Sequence, residues 1–175
     1  GTLNVINWCL GNDVERLLFA SSFVIYGDHP NKEVLDEEVN CRPKSVYATS
    51  KLACEHLLSC YAQPKGIKWN SLRMYNVYGP GQTGEGAIQI FIKRALKNED
   101  IKIDGDGNQI RAWCYVDDFV ECLIRCIEDP KAIGESFNLG NARAVITILG
   151  LAQTVCRVLK SESKIIFDVP LSADI

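Results

Sequence analysis

Short apolar runs with strand character alternate along this chain with longer stretches whose apolar residues recur at helical spacing, and few architectures accommodate that alternation. Residues 2–11 read as the end of a helix with Leu3, Ile6 and Leu10 on one face, and Arg16 to Ala20 as a short strand. Residues 21–44 read as loop. A helix is expected over 45–62, capped by Ser45 and ended before Pro64, followed by a strand from Ile67 to Met74. After the turn-rich stretch Tyr78 to Gly84 comes a helix over 87–98. Ile101 to Ile103 and Gln109 to Tyr115 read as strands flanking Gly105-Asp106-Gly107-Asn108, a hairpin signal. Asp117 or Asp118 opens a helix with Phe119, Cys122, Leu123, Cys126 and Ile127 on its apolar face. Ser136 to Leu139 is a strand, Thr147 caps a last helix, and Lys164 to Phe167 closes as a strand.

The pattern implies an α/β fold with a largely parallel sheet. Two strands and their helices before residue 79 do not complete a doubly wound sheet, which needs strands on its far side. The expected fold class is therefore the second half of a Rossmann-type doubly wound parallel sheet plus a small mixed α/β substrate-binding segment. The division expected is 1–79 for the dinucleotide-binding half and 80–175 for the substrate segment, with 112–140 returning to the sheet. The chain reads as a fragment truncated at both ends, and its isolated form is expected to bind and catalyse nothing.

Composition excludes several function classes. With 47% hydrophobic and 23% charged residues, disorder is excluded for the chain as a whole. A net charge of -3 with interspersed signs argues against nucleic-acid or membrane-surface binding. No apolar run approaches membrane-spanning length, and the opening residues show no signal-peptide pattern. The 8 cysteines include no C-x-x-C and stand beside only 2 histidines, so no metal site is expected. They are read as free thiols in a reducing cytoplasm, with Cys122 and Cys126 as core fillers.

Tyr47-x-x-x-Lys51 puts a phenol and an ammonium on one helix face, one turn apart. Tyrosine, with an ordinary pKa near 10, is a poor base at neutral pH. A neighbouring lysine and a cationic nicotinamide ring favour the phenolate, which can take a proton from a sugar hydroxyl. Tyr61-x-x-x-Lys65 has the same spacing but straddles the helix end at Pro64. Ala20, Ser21 and Ser22 lie at the carboxyl end of an apolar strand, where open α/β sheets bind ligands. Tyr75 and Asn76 follow the next strand, and Arg111 offers a guanidinium suited to a phosphate or to pairing with Asp104 or Asp106.

Taken in order, S-S-x-x-x-Y-G, Y-x-x-x-K, R-x-x-N-x-Y-G-P-G, G-D-G-x-x-x-R-x-W-x-Y-V-x-D and F-N-L-G-N resemble the NAD-dependent nucleotide-sugar epimerase/dehydratase family, within the extended short-chain dehydrogenases/reductases. The resemblance, which extends to UDP-glucose 4-epimerase-like proteins, covers nearly the whole chain. It implies that Ser22, Tyr47 and Lys51 are catalytic and that NAD is the cofactor. Ala20, Ser21, Tyr47, Lys51 and Tyr75 would contact NAD, and Ser22, Asn76 and Arg111 the nucleotide sugar. It also implies a homodimer formed through a bundle containing the helix that bears Tyr47. Two departures stand out: no glycine-rich dinucleotide fingerprint occurs, and Asp104 occupies a position that is often aromatic.

Dehydrating relatives carry an Asp-Glu pair after the serine, and decarboxylating ones a Glu in the second position. Phe23 and Val24 stand there instead, and neither transfers a proton. Epimerisation at C4 of a UDP-sugar through a 4-keto intermediate is therefore expected. A dehydratase or decarboxylase, or a non-catalytic sugar-nucleotide binder, is the alternative.

Overall fold

The computed structural model of the protein describes residues 1–29, 34–84 and 86–169. Part of the expected loop over 21–44 and the end from Ser172 to Ile175 lie outside these. In chain order the elements are α1 (Thr2–Gly11), β1 (Arg16–Ser22), α2 (Val46–Leu57), β2 (Lys68–Met74), β3 (Asn76–Tyr78), α3 (Ala87–Leu96), β4 (Ile101–Asp104), β5 (Ile110–Tyr115), α4 (Val116–Glu128), β6 (Ser136–Leu139), β7 (Val145–Thr147), α5 (Ile148–Leu159) and β8 (Ile165–Asp168). They divide into two compact units, one of Gly1–Tyr75 with Asp117–Gly140, the other of Asn76–Val116 with Asn141–Asp174.

The first unit is built on the parallel sheet β1-β2-β6. Alternate side chains of a strand face opposite ways, and this parity separates two apolar layers. Leu17, Phe19 and Trp69 pack with Ile6 and Cys9 of α1 and with Leu58 and Ala62 beyond α2. Leu18, Leu72 and Leu139 pack on the other face, against Phe119, Leu123 and Cys126 of α4. Helices thus cover both faces, as a doubly wound arrangement requires. Cys122 was expected inside with Cys126 but is exposed, as is Ile127. The sheet beneath α4 meets only the stripe of Phe119, Leu123 and Cys126, so flanking positions stay in water.

The helix expected over 45–62 is α-helical only to Leu57. A single π-turn, Leu58–Ala62, and a 3-10 turn, Gln63–Lys65, continue it to Gly66, which adopts the left-handed conformation that ends helices. A 3-10 turn, Phe23–Tyr26, also interrupts the expected loop.

In the second unit α3 and α5 pack over β4, burying Phe91, Ala95, Ile101, Ile103, Leu151, Ala152 and Val155. The expected hairpin does not form. β4 pairs in parallel with β8, while β5 pairs in parallel with β3 and antiparallel with β7. The Gly-rich segment between them bonds elsewhere: Gly107 and Gln109 carbonyls accept from the Leu149 and Ile148 amides at the start of α5. Ile101 and Ile103, both buried, find an apolar partner strand in Ile165 to Phe167 that polar Gln109 and Arg111 do not offer.

Among the described residues no helix is long and apolar enough to cross a membrane, and no group of three or more His, Cys, Asp or Glu is placed to hold a metal ion. None of the cysteines forms a disulfide.

Candidate active site

β1 and β2 run side by side in the same direction, with Ser22 opposite Met74 at their carboxyl ends. Ser22 caps the 3-10 turn that follows, its Oγ accepting weakly from the Val24 amide at 3.5 Å. The hydroxyl proton remains available to a ligand. Strand parity turns Ser21 the other way, onto the face that carries Leu17 and Phe19. Ser21 is fully buried, so its hydroxyl offers a ligand no surface.

Above this rim lies the start of α2. Ser45 Oγ accepts from the Ala48 amide at 3.0 Å and fixes the first turn. Tyr47, 55% exposed, stands free on that turn. Lys51 lies on the same face with its Nζ 5.5 Å from the Tyr47 ring centroid and 5.1 Å from that of Phe19. Its ammonium donates to the Ala20 carbonyl at 2.7 Å. One of its three N–H groups is thereby used, and two remain.

Tyr75, just past β2, stacks on Phe23 with ring centroids 4.9 Å apart and planes 9° from parallel. Burial pushes its phenol above the usual tyrosine range, and the charges of Tyr26 and Glu37 act the same way. Its ring lies against Gly140: a β-carbon there would be 2.8 Å from Tyr75 Cδ2. That contact accounts for the glycine in the stretch F-N-L-G-N. Ser22, Tyr47, Lys51, Ala20 and Tyr75 thus all belong to the first unit.

Asn76 and Arg111 belong to the second. Asn76 Nδ2 donates to the Ala112 carbonyl at 2.9 Å, joining β3 to β5 and leaving its Oδ1 to accept. Arg111 is exposed and donates to its neighbour Ile110 at 2.9 Å. It lines a cavity of about 310 Å³ with Lys102, Asp104, Gln109 and the apolar Ile90 and Phe91. Asp106 is bonded to Asn108 rather than to Arg111.

The second tyrosine–lysine spacing also makes contact, Lys65 Nζ lying 3.6 Å from the Tyr61 ring centroid. Tyr61 Oη, however, donates to Asn7 Oδ1 at 2.8 Å, so this pair ties the helix end to α1. His56 is exposed.

Sequence reasoning missed a buried polar cluster beneath α2. Glu55, one turn beyond Lys51 on the same face, accepts from Ser71 Oγ at 2.7 Å and from Arg73 Nη2 at 2.9 Å. Arg73 Nη1 donates to Tyr26 Oη at 2.8 Å, and Tyr26 Oη donates in turn to Asn138 Oδ1 at 2.8 Å. Burial alone would raise the Glu55 carboxyl, but the hydrogen bonds from Arg73 and Ser71 outweigh it and hold it below the usual carboxylate range. The available signal was a third residue at i+8 from Tyr47 and an arginine inside the strand expected over Ile67 to Met74.

The family model for the NAD dependent epimerase/dehydratase family matches residues 1–140. UDP-glucuronic acid decarboxylase 6 of Arabidopsis thaliana is 33% identical over 172 residues, 94% of this chain and 49% of the decarboxylase. The crystal structure of UDP-glucose 4-epimerase with UDP-glucose from Thermotoga maritima superposes with a TM-score of 0.92 at 29% identity, over 99% of this chain and 57% of that one. The UDP-glucose 4-epimerase of Thermus thermophilus, in complex with NAD, gives a TM-score of 0.88 at 33% identity, over 99% of this chain and 58% of that one. The chain spans about half the length of the curated relatives it matches.

Proposed function

The chain belongs to the NAD dependent epimerase/dehydratase family, and on that premise we propose that the complete protein epimerises a UDP-sugar at C4. The observation that carries this reading is the anchoring of Lys51 to Ala20 beside an exposed Tyr47, with Phe23 and Val24 following Ser22.

The residues present fit the nicotinamide end of the cofactor. Lys51 keeps two N–H donors for ribose hydroxyls, and Tyr75 presents a ring at the same rim. No G-x-x-G-x-x-G occurs in this sequence, so these residues do not account for the pyrophosphate and adenine end. NAD, when bound, supplies hydride acceptance at C4 and hydride return.

Tyr47 takes the proton of the C4 hydroxyl as the hydrogen on that carbon leaves, and gives it back after the sugar has presented its other face. Lys51 holds the ribose and places a positive charge beside the phenol. Ser22 donates its free hydroxyl proton to the C4 oxygen and stabilises charge there. Asn76 and Arg111 hold the nucleotide-sugar side, the guanidinium matching a phosphate. Phe23 and Val24 have no proton to give, which disfavours removal of a C6 hydroxyl. The resemblance also brings a homodimer into this reading, for which exposed Trp8 on α1 offers apolar surface, and the free thiols bring in a reducing cytoplasm.

Replacing Tyr47 with Phe in the complete protein is expected to abolish turnover and leave NAD binding intact. Retained turnover would remove Tyr47 from this role.

A further inference from the structure

Arg73 is buried between three parts of the site that are distant in sequence. Its Nε and Nη2 engage Glu55, which shares a helix face with Tyr47 and Lys51. Its Nη1 engages Tyr26 Oη at 2.8 Å and the Glu37 carbonyl at 3.2 Å. Tyr26 closes the 3-10 turn that begins directly after Ser22. Arg73 itself lies two residues before Tyr75 and directly across from Ser21 in the β1–β2 register.

The guanidinium is only 7% exposed and its plane lies near the Tyr26 ring, with Cζ 5.1 Å from the centroid. Tyr26 is 1% exposed and is held a second time through Asn138, whose amide N–H donates to Glu37 Oε1 at 2.7 Å. Gly27 is needed for this packing: its φ is +65°, and a β-carbon would overlap the Arg42 carbonyl. Arg42 in turn donates its amide to the Tyr26 carbonyl at 3.1 Å.

From this juxtaposition we infer that Arg73 is a positioning residue for the reaction: its fork fixes the Ser22 turn, through Tyr26, against the helix that carries Tyr47 and Lys51, through Glu55. A lysine cannot do both, because one ammonium lacks the planar fork. The inference rests on the proposed roles of Ser22, Tyr47 and Lys51. Its physical basis is that small misplacements of reacting groups are costly; about 1 Å costs on the order of a hundredfold in rate.

The test uses the complete protein and two variants, Tyr26→Phe and Arg73→Lys, with their double. Tyr26→Phe removes one hydroxyl and keeps the buried ring. Its kcat is expected to fall on the order of ten- to a hundredfold, with KM and the NAD dissociation constant within about twofold. Arg73→Lys is expected to lose a similar factor, and the double variant no more than the worse single, because both break the same link. Amide exchange is expected to quicken in 23–26 and in the turn of α2 around Glu55 together in the Tyr26→Phe protein.

An unchanged kcat in a cooperatively folded Tyr26→Phe protein would overturn the inference. So would losses that multiply in the double, or exchange that quickens in 23–26 alone. Should one single variant not fold, the other decides by the same readouts. A wild-type protein that turns over no nucleotide sugar counts against the proposed function, and the exchange experiment then decides the positioning role on its own.

Discussion

Lys51 donates to the backbone carbonyl of Ala20 at 2.7 Å, and so pins the helix bearing Tyr47 to the end of the strand bearing Ser22. The bond brings a flexible ammonium to 5.5 Å from the Tyr47 ring.

Replacing Lys51 with Met is therefore expected to lower kcat by roughly 10²–10⁴-fold, the range for loss of assisted proton transfer. The NAD dissociation constant should rise as well if Lys51 makes the proposed ribose contact. Steady-state kinetics and fluorescence titration of NAD check this; unchanged NAD affinity would separate Lys51 from the ribose.

The Glu55 carboxyl, held below its ordinary range, makes stability depend on pH with a definite sign. A group whose folded value is depressed contributes stability above its unfolded pKa, about 4.3 for Glu, and loses it as pH falls through the folded value. The stability gap between wild type and Glu55→Gln should be widest above about pH 5 and shrink below about pH 4. Urea unfolding across that range measures it, and a gap independent of pH would contradict the assignment.

Gly140→Ala places a β-carbon 2.8 Å from the Tyr75 ring. The ring must shift, at an expected cost of about 1–3 kcal/mol for overpacking. Thermal unfolding should register the loss. The stack of Tyr75 on Phe23 should loosen with it, visible as a changed near-UV circular dichroism.

Arg111→Met removes the guanidinium from the cavity lined by Lys102, Asp104 and Gln109. Loss of a hydrogen bond to a charged group costs about 1.5–3 kcal/mol. KM for the nucleotide sugar should accordingly rise about ten- to a hundredfold with kcat little changed. An unaltered KM would remove Arg111 from the phosphate contact.

The alternation of elements was legible because α2, α4 and α5 carry helical periodicity over three turns or more and β1 opens on the apolar run Leu17–Ala20. β3 and β7 were not, since Asn76–Tyr78 and Val145–Thr147 are each too short to show a period. The hairpin expectation failed because the partner of β4 is β8, far along the chain, while the local Gly-Asp-Gly turn serves α5. Ser22, Tyr47 and Lys51 were candidates on the ordered motifs and the family resemblance, and the fold brings Lys51 beside Tyr47 and onto Ala20. The Glu55–Arg73 pair could not, because its partners stand 18 residues apart and meet only when α2 lies down on β2.

The reaction proposed for the complete protein is epimerisation at C4 of a UDP-sugar. Incubating the complete protein with NAD and a panel of UDP- and TDP-sugars in deuterated water, followed by NMR of the products, tests it most directly. The account predicts the C4 epimer of a UDP-sugar, with the original hydrogen retained at C4. A 4-keto-6-deoxy sugar, or a pentose formed with loss of carbon dioxide, would contradict it.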